Sequence, residues 1–176
     1  NEKRLWIATL GKGLYYYDLK EKRTIYNPEA NKGLNRWIYC LHHSSDNQLY
    51  IGTSYGMYVL NLDKKFEIEM ILPSRIILSI YEDKEGRIWA GGSDGLTAWN
   101  PQTRQTKTYS TQNGLAGNNV YGIQEDQYGH LWISTNYGLS QFNTVTENSN
   151  NYYVGDGLQG NEFRTNSTHN ATDGTI

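Results

Sequence analysis

The chain has one cysteine, Cys40, so no disulfide can form within it. Histidine is scarce too. No Ser-His-Asp set and no metal-ligand spacing can be drawn through His42, His43, His130 and His169. In a strand the adjacent His42 and His43 point to opposite faces, so they do not form a metal pair. Basic residues never cluster: 16 Lys+Arg against 18 Asp+Glu leave a net charge of −2, which excludes a nucleic-acid footprint or a membrane-surface patch. No apolar run is long enough to span a bilayer, and the N-terminus has no signal-peptide pattern. Phenylalanine is rare, at 3, against 15 Tyr and 5 Trp, a balance that favours half-wet surfaces where a ring packs and its polar tip meets water or a ligand. The sequons Asn166-Ser167-Thr168 and Asn170-Ala171-Thr172 would matter only in a eukaryotic secreted protein.

What the chain does have is a repeat. Leu131-Trp132-Ile133-Ser134-Thr135 runs to Gly138-Leu139, Leu5-Trp6-Ile7-Ala8-Thr9 to Gly13-Leu14, Leu49-Tyr50-Ile51-Gly52-Thr53 to Gly56-Met57, and Ile88-Trp89-Ala90-Gly91-Gly92 to Gly95-Leu96. The large aromatic stands at 6, 50, 89 and 132, spaced by 44, 39 and 43 residues. A period of about 40–45 residues with four strands per unit is that of propeller blades. The predicted fold is therefore all-β: about four blades of four-stranded antiparallel sheet, part of a ring of about seven.

Alternation and turn residues place the strands. The first blade, 1–35, supplies only its last three: Leu5–Thr9, Leu14–Leu19 and Arg23–Tyr26. The second, 36–74, reads Trp37–His43, Leu49–Thr53, Met57–Leu62 and Phe66–Leu72. The third, 75–117, reads Ile76–Glu82, Arg87–Gly91, Leu96–Asn100 and Gln105–Tyr109; the fourth, 118–160, repeats it. Residues 161–176 would begin a fifth, with an inner strand over Arg164–Ala171. Trp6, Trp89 and Trp132 are expected in the core, each between aliphatics in a covered strand. The turns Asp83-Lys84-Glu85-Gly86 and Asp126-Gln127-Tyr128-Gly129 have a mechanical explanation, because Asx side chains cap a turn and Gly accepts positive φ; neither has the ligand set of a calcium loop. No metal or cofactor is expected.

The combination of Leu131-Trp132-Ile133-Ser134-Thr135, Gly138-Leu139, Asn113-Gly114-Leu115 and Glu125-Asp126 resembles the two-component regulator propeller repeat. Gly155-Asp156-Gly157-Leu158-Gln159-Gly160-Asn161-Glu162-Phe163 is similar to a segment near the end of the sensor region in hybrid two-component systems. The resemblance implies a periplasmic sensor region in which further propeller blades are followed by a β-sandwich, one membrane span and a histidine kinase. It also implies an oligosaccharide ligand and a receptor that works as a homodimer.

In a propeller, the loops between second and third strands share a face with the crossings between blades. Here those loops carry Tyr55, Asp94, Asn136 and Tyr137, and the crossings carry Arg36, Trp37, Arg75, Asn118, Asn119, Asn161, Glu162 and Arg164. Flat aromatics cover apolar sugar faces, while Asn, Asp, Glu and Arg exchange hydrogen bonds with hydroxyls, so these twelve are the expected ligand residues. The same residues also have a structural reading: Trp37 packs between blades, and the asparagines cap turns. Two other function classes compete. Some propellers are lyases, but a lyase needs a poised base, and His130 holds a turn-flanking position filled by Arg87 and Gln48 in other copies, as an exposed filler would. A protein-binding scaffold would show an exposed apolar patch.

Overall fold

The computed structural model describes residues 4–64 and 66–165. They form two compact units, Asn1–Ile77 and Leu78–Ile176, each built from antiparallel sheet. The three helical segments are single 3₁₀ turns.

In the first unit, β1 (Arg4–Thr9), β2 (Gly13–Asp18) and β3 (Arg23–Tyr26) make a three-stranded sheet in chain order. Next come β4 (Ile38–His43), β5 (Gln48–Thr53), β6 (Gly56–Asn61) and β7 (Glu67–Pro73), again paired in chain order. Strand alternation turns Leu49 and Ile51 of β5 into one core with Leu14, Leu34, Ile38, Tyr58 and Leu60, against which Trp6 and Phe66 pack.

The second unit has two four-stranded sheets. One is β8 (Ile77–Glu82), β9 (Ile88–Gly92), β10 (Gly95–Trp99) and β11 (Thr106–Tyr109). The other is β12 (Val120–Glu125), β13 (His130–Thr135), β14 (Gly138–Asn143) and β15 (Ser149–Tyr152). Trp89, Leu96, Tyr109, Val120, Ile123, Leu131, Ile133 and Phe142 form the core between these two sheets. At its rim the Tyr81 hydroxyl donates to Glu125 Oε2 at 3.2 Å, and the Tyr109 hydroxyl donates to Glu147 Oε1 at 2.9 Å. Burial first, and then the Glu125 carboxylate, push the Tyr81 hydroxyl up to about 12, so it stays a donor at any physiological pH.

The repeat motif has a local reason at each position. Its closing threonine bridges the turn that follows: Thr9 Oγ1 donates to the Gly13 carbonyl at 2.6 Å, and Thr53 and Thr135 do the same to Gly56 and Gly138 at 2.8 Å. At or just past the ends of β2, β6, β10 and β14 an Asx side chain accepts two backbone N–H bonds, at Asp18, Asn61, Asn100 and Asn143. The small residue in the middle of the second strand answers to its neighbour. Gly52 pairs with Cys40 and Gly91 lies under Ser79, whereas Ser134 pairs with Gly122, so one of the two is always glycine. A Cβ at Gly91 would stand 2.4 Å from Val120 Cγ1 as well as from Ser79 Oγ.

Three expectations change. Trp89 is buried, but Trp6 and Trp132 are only half-buried. The reason is facing: Trp89 lies against Phe142 of the following sheet at 5.8 Å, while Trp132 turns to the face of its sheet away from β9 and stacks on Tyr152 at 5.5 Å. Second, Arg164 and Thr165 lie outside any strand, and the rest of the Arg164–Ala171 strand lies outside the described residues, as do His169 and both sequons. Third, Trp37 precedes its strand rather than heading it and is 54% exposed, although its backbone bridges Leu10 of the preceding repeat and its ring lies over Gly11.

Candidate ligand face and the clamps beneath it

In each unit the second-to-third-strand loops are hydrogen-bonded to the crossings. In the first, Gly11 N–H donates to the Arg36 carbonyl (2.8 Å), Ser54 N–H to that of Trp37 (3.0 Å) and Ser74 N–H to that of Tyr55 (2.9 Å). Arg36, Trp37, Tyr55 and Arg75 therefore share one end of that unit. Trp37 and Tyr55, 53% exposed, are its open rings.

In the second unit, Asn136 N–H donates to the Asn119 carbonyl (3.1 Å), Gly138 N–H to that of Asn161 (2.6 Å) and Phe163 N–H to that of Thr135 (3.1 Å). This brings Asn118, Asn119, Asn136, Tyr137, Asn161 and Glu162 to one end. Much of the amide chemistry there is already committed. Asn118 Oδ1 accepts from Thr111 N–H and Asn161 Oδ1 from Val154 N–H, both at 2.8 Å, while Asn136 Oδ1 accepts from Asn119 N–H at 3.1 Å. These three side chains hold the crossings in shape and offer outward mainly their N–H₂ edges. Glu162 and Arg164 form an exposed ion pair at 3.1 Å. Asp94 sits in the β9–β10 turn, accepting from Ser93 Oγ at 3.2 Å.

A ring absent from the expected set also belongs here. Tyr153 packs beside Tyr137, centroids 5.7 Å apart. It lies sixteen residues away behind an outer strand, so spacing along the chain carries no signal of it. Glycine makes the contact possible: Gly138 has φ 105°, and a Cβ there would stand 2.9 Å from the Tyr153 ring.

The opposite end is held by carboxylates. Asp83 Oδ1 accepts from Glu85 N–H (3.0 Å) and Arg87 N–H (2.9 Å), and Oδ2 accepts from Arg87 Nε and the Trp89 indole N–H, both at 2.7 Å. Asp126 copies it, accepting from the N–H groups of Tyr128 and His130 (2.9 Å each) and the Trp132 indole (3.0 Å), with His130 Nδ1 3.3 Å away. His130 is thus a partner of Asp126, like Arg87 of Asp83, and not an exposed filler. Where Tyr50 replaces tryptophan there is no indole to hold, and Ser44 takes the aspartate's place, its Oγ accepting from Gln48 N–H at 3.1 Å.

Burial raises the Asp126 carboxyl, but the His130 N–H, the Trp132 indole and the Tyr128 N–H outweigh it and leave it below its ordinary value. A depressed carboxyl contributes stability above its unfolded pKa and loses that contribution as pH falls through its folded pKa. The urea midpoint is therefore expected to drop below about pH 4, and Asp126→Asn is expected to start lower at pH 7 and to fall less between pH 4 and 2.5. Parallel acid profiles for the two proteins would remove Asp126 from the account.

Burial pushes the Cys40 thiol up to about 12, so at neutral pH it is not a thiolate nucleophile. His43 Nε2 lies 3.1 Å from Asn47 Oδ1 in a turn. Among the described residues no three His, Cys, Asp or Glu side chains gather as a metal set. A groove of about 830 Å³ is lined by Arg4, Leu5, Trp6, Leu41, His43, Asn47, Leu49, Leu62 and Asp63. None of the twelve expected ligand residues lines it.

Comparison with known proteins agrees with this architecture. Two stretches, 71–94 and 114–137, match the family model described as two component regulator propeller. No curated protein matches the chain in sequence. Among solved structures it is similar to the extracellular domain of the hybrid two-component system BT3049 from B. thetaiotaomicron, with 26% identity and TM-score 0.71 over 85% of this chain. The corresponding domain of BT4673 from the same organism gives 25% identity and TM-score 0.76 over 90%. The chain spans 22% of each of these structures. Virginiamycin B lyase from Staphylococcus aureus, at 16% identity and TM-score 0.64 over 86% of this chain and 52% of the lyase, shares the fold. Four copies of one motif each fold as an antiparallel sheet, and stretches of two of them match the two component regulator propeller model.

Proposed function

We propose that this chain is part of the periplasmic sensor region of a hybrid two-component receptor and that its loop-and-crossing ends contact an oligosaccharide. The observation that carries the reading is the placement of open rings on those ends: Trp37, Tyr55 and Tyr137 are each more than half exposed, on backbone pinned by crossing hydrogen bonds. Exposed rings on rigid loops surrounded by amide and guanidinium donors suit a ligand with apolar faces and a hydroxyl rim. Likeness to extracellular domains of hybrid two-component systems supports the receptor context. In that context the remaining blades lie elsewhere in the parent protein, which acts as a homodimer and passes occupancy through a membrane span to a histidine kinase. Among the described residues no helix is long and apolar enough to cross a membrane.

Affinity is expected to be about micromolar, because a few ring contacts and exchanged hydrogen bonds must offset the entropy of association. Calorimetry of the intact parent protein against a panel of glycan fragments tests it. Saturable heat with one class of fragment is the expected result. Silence across the panel would favour a scaffold, and the appearance of unsaturated sugar ends would favour a lyase.

A further inference from the structure

The two copies of the crossing in the second unit differ at one informative position. Ser110 and Tyr153 both stand immediately before a 3₁₀ turn, 111–113 and 154–156, and both follow the strand residue whose carbonyl faces the glycine that opens β10 or β14. Ser110 suits that place: its Oγ accepts from Gln112 N–H at 3.2 Å. Tyr153 makes no side-chain cap, and its turn keeps only the bond common to both copies, Asp156 Oδ2 accepting from Tyr153 N–H at 2.9 Å as Asn113 Oδ1 accepts from Ser110 N–H at 3.0 Å. The third repeat thus carries a small capping residue here, and the fourth carries a large ring. The loop position beside it shows the same contrast, with Asp94 in one copy and Tyr137 in the other. Both substitutions set an aromatic where the sister copy folds without one, and they meet at 5.7 Å with their planes 53° apart. Tyr55 fills the same loop position in the second repeat, so what sets the fourth apart is that Tyr137, 58% exposed, has a second ring beside it.

Resting on the oligosaccharide reading, we propose that Tyr137 and Tyr153 form a two-ring platform that takes one pyranose unit of a neutral oligosaccharide. The rings cover its C–H face, and the outward amide edges of Asn136 and Asn161 donate to its hydroxyls. The exposed charges at this end are already matched, because Glu162 pairs with Arg164, so the site does not call for an acidic sugar.

The sister copy supplies the test. Tyr137→Asp and Tyr153→Ser install residues this fold already accepts at those places, so neither should lower the melting temperature, and Tyr153→Ser should raise it. Titration calorimetry of the intact parent protein with malto-, cello-, xylo-, manno- and galactohexaose is expected to find one that binds, with Kd at least tenfold weaker in each variant. Tyr137→Phe and Tyr153→Phe, which keep the rings, should bind within about threefold of the unaltered protein. If a hexaose binds and both Tyr137→Asp and Tyr153→Ser bind it equally well, the platform is wrong while the sensor reading stands. If no hexaose binds the unaltered protein, platform and oligosaccharide reading fall together.

Discussion

Trp89→Ala is expected to destabilise the protein by about 3–5 kcal/mol, the range of large aromatic deletions from a closed core. Trp89 is 1% exposed and touches three neighbours of different kinds. Its ring packs against Phe142 at 5.8 Å and Tyr109 at 6.1 Å, and its indole N–H donates to Asp83 at 2.7 Å. The deletion opens a cavity between two sheets and leaves a buried carboxylate short of a donor, so transfer, packing and hydrogen-bond losses add. Trp132→Ala should cost clearly less, because that ring is only partly buried. Tyr55→Ala, on an exposed loop, should cost under about 1 kcal/mol. Urea denaturation of the three variants measures the order, and equal losses would mean that facing between sheets does not control stability here.

Asp83→Ala is expected to cost about 3 kcal/mol, a large effect for a residue in a turn. Four donors converge on its two oxygens at 2.7–3.0 Å, and the residue is 6% exposed. Without it the Trp89 indole N–H is buried with no acceptor, and Arg87 keeps the exposed carboxylate of Glu85, 2.6 Å from Nη2, and the face of the Trp89 ring. Asp83→Asn keeps one acceptor but turns an N–H₂ toward donors, so it should recover only part of the loss. Tryptophan emission should shift to the red in Asp83→Ala as the indole gains access to water. A cost under about 1 kcal/mol with unchanged emission would show that the turn folds without the clamp.

These two residues show how the repeat was legible and how it was not. The aromatic ruler at 6, 50, 89 and 132 and the glycines of the turns were enough to place the strands of the first three sheets within one residue, because strand alternation and turn geometry are local. The aspartates looked like turn caps, which they are; that each also clamps an indole six residues on needs the strand to curl back over its own turn. His130 was read as filler for the same reason. Spacing along a chain shows that two residues share a hairpin, but not that their polar atoms meet.

Site residues divide along the same line. That Tyr55, Asn136 and Tyr137 lie in loops, and Arg36, Trp37, Asn118 and Asn161 in crossings, follows from the order of strands alone. Which amides are already spent on Thr111, Val154 and Asn119 N–H groups is visible only with backbone in place. The sequence by itself determined the number of sheets, their strand order and the residues at their loop ends, since each depends on contacts within about 20 residues. Only the tertiary structure decided which tryptophan is covered, which tyrosine finds a second ring and which carboxylate holds an indole. Those outcomes depend on what one sheet or loop lays against another, and the distances involved are set by packing between segments rather than by periodicity within one.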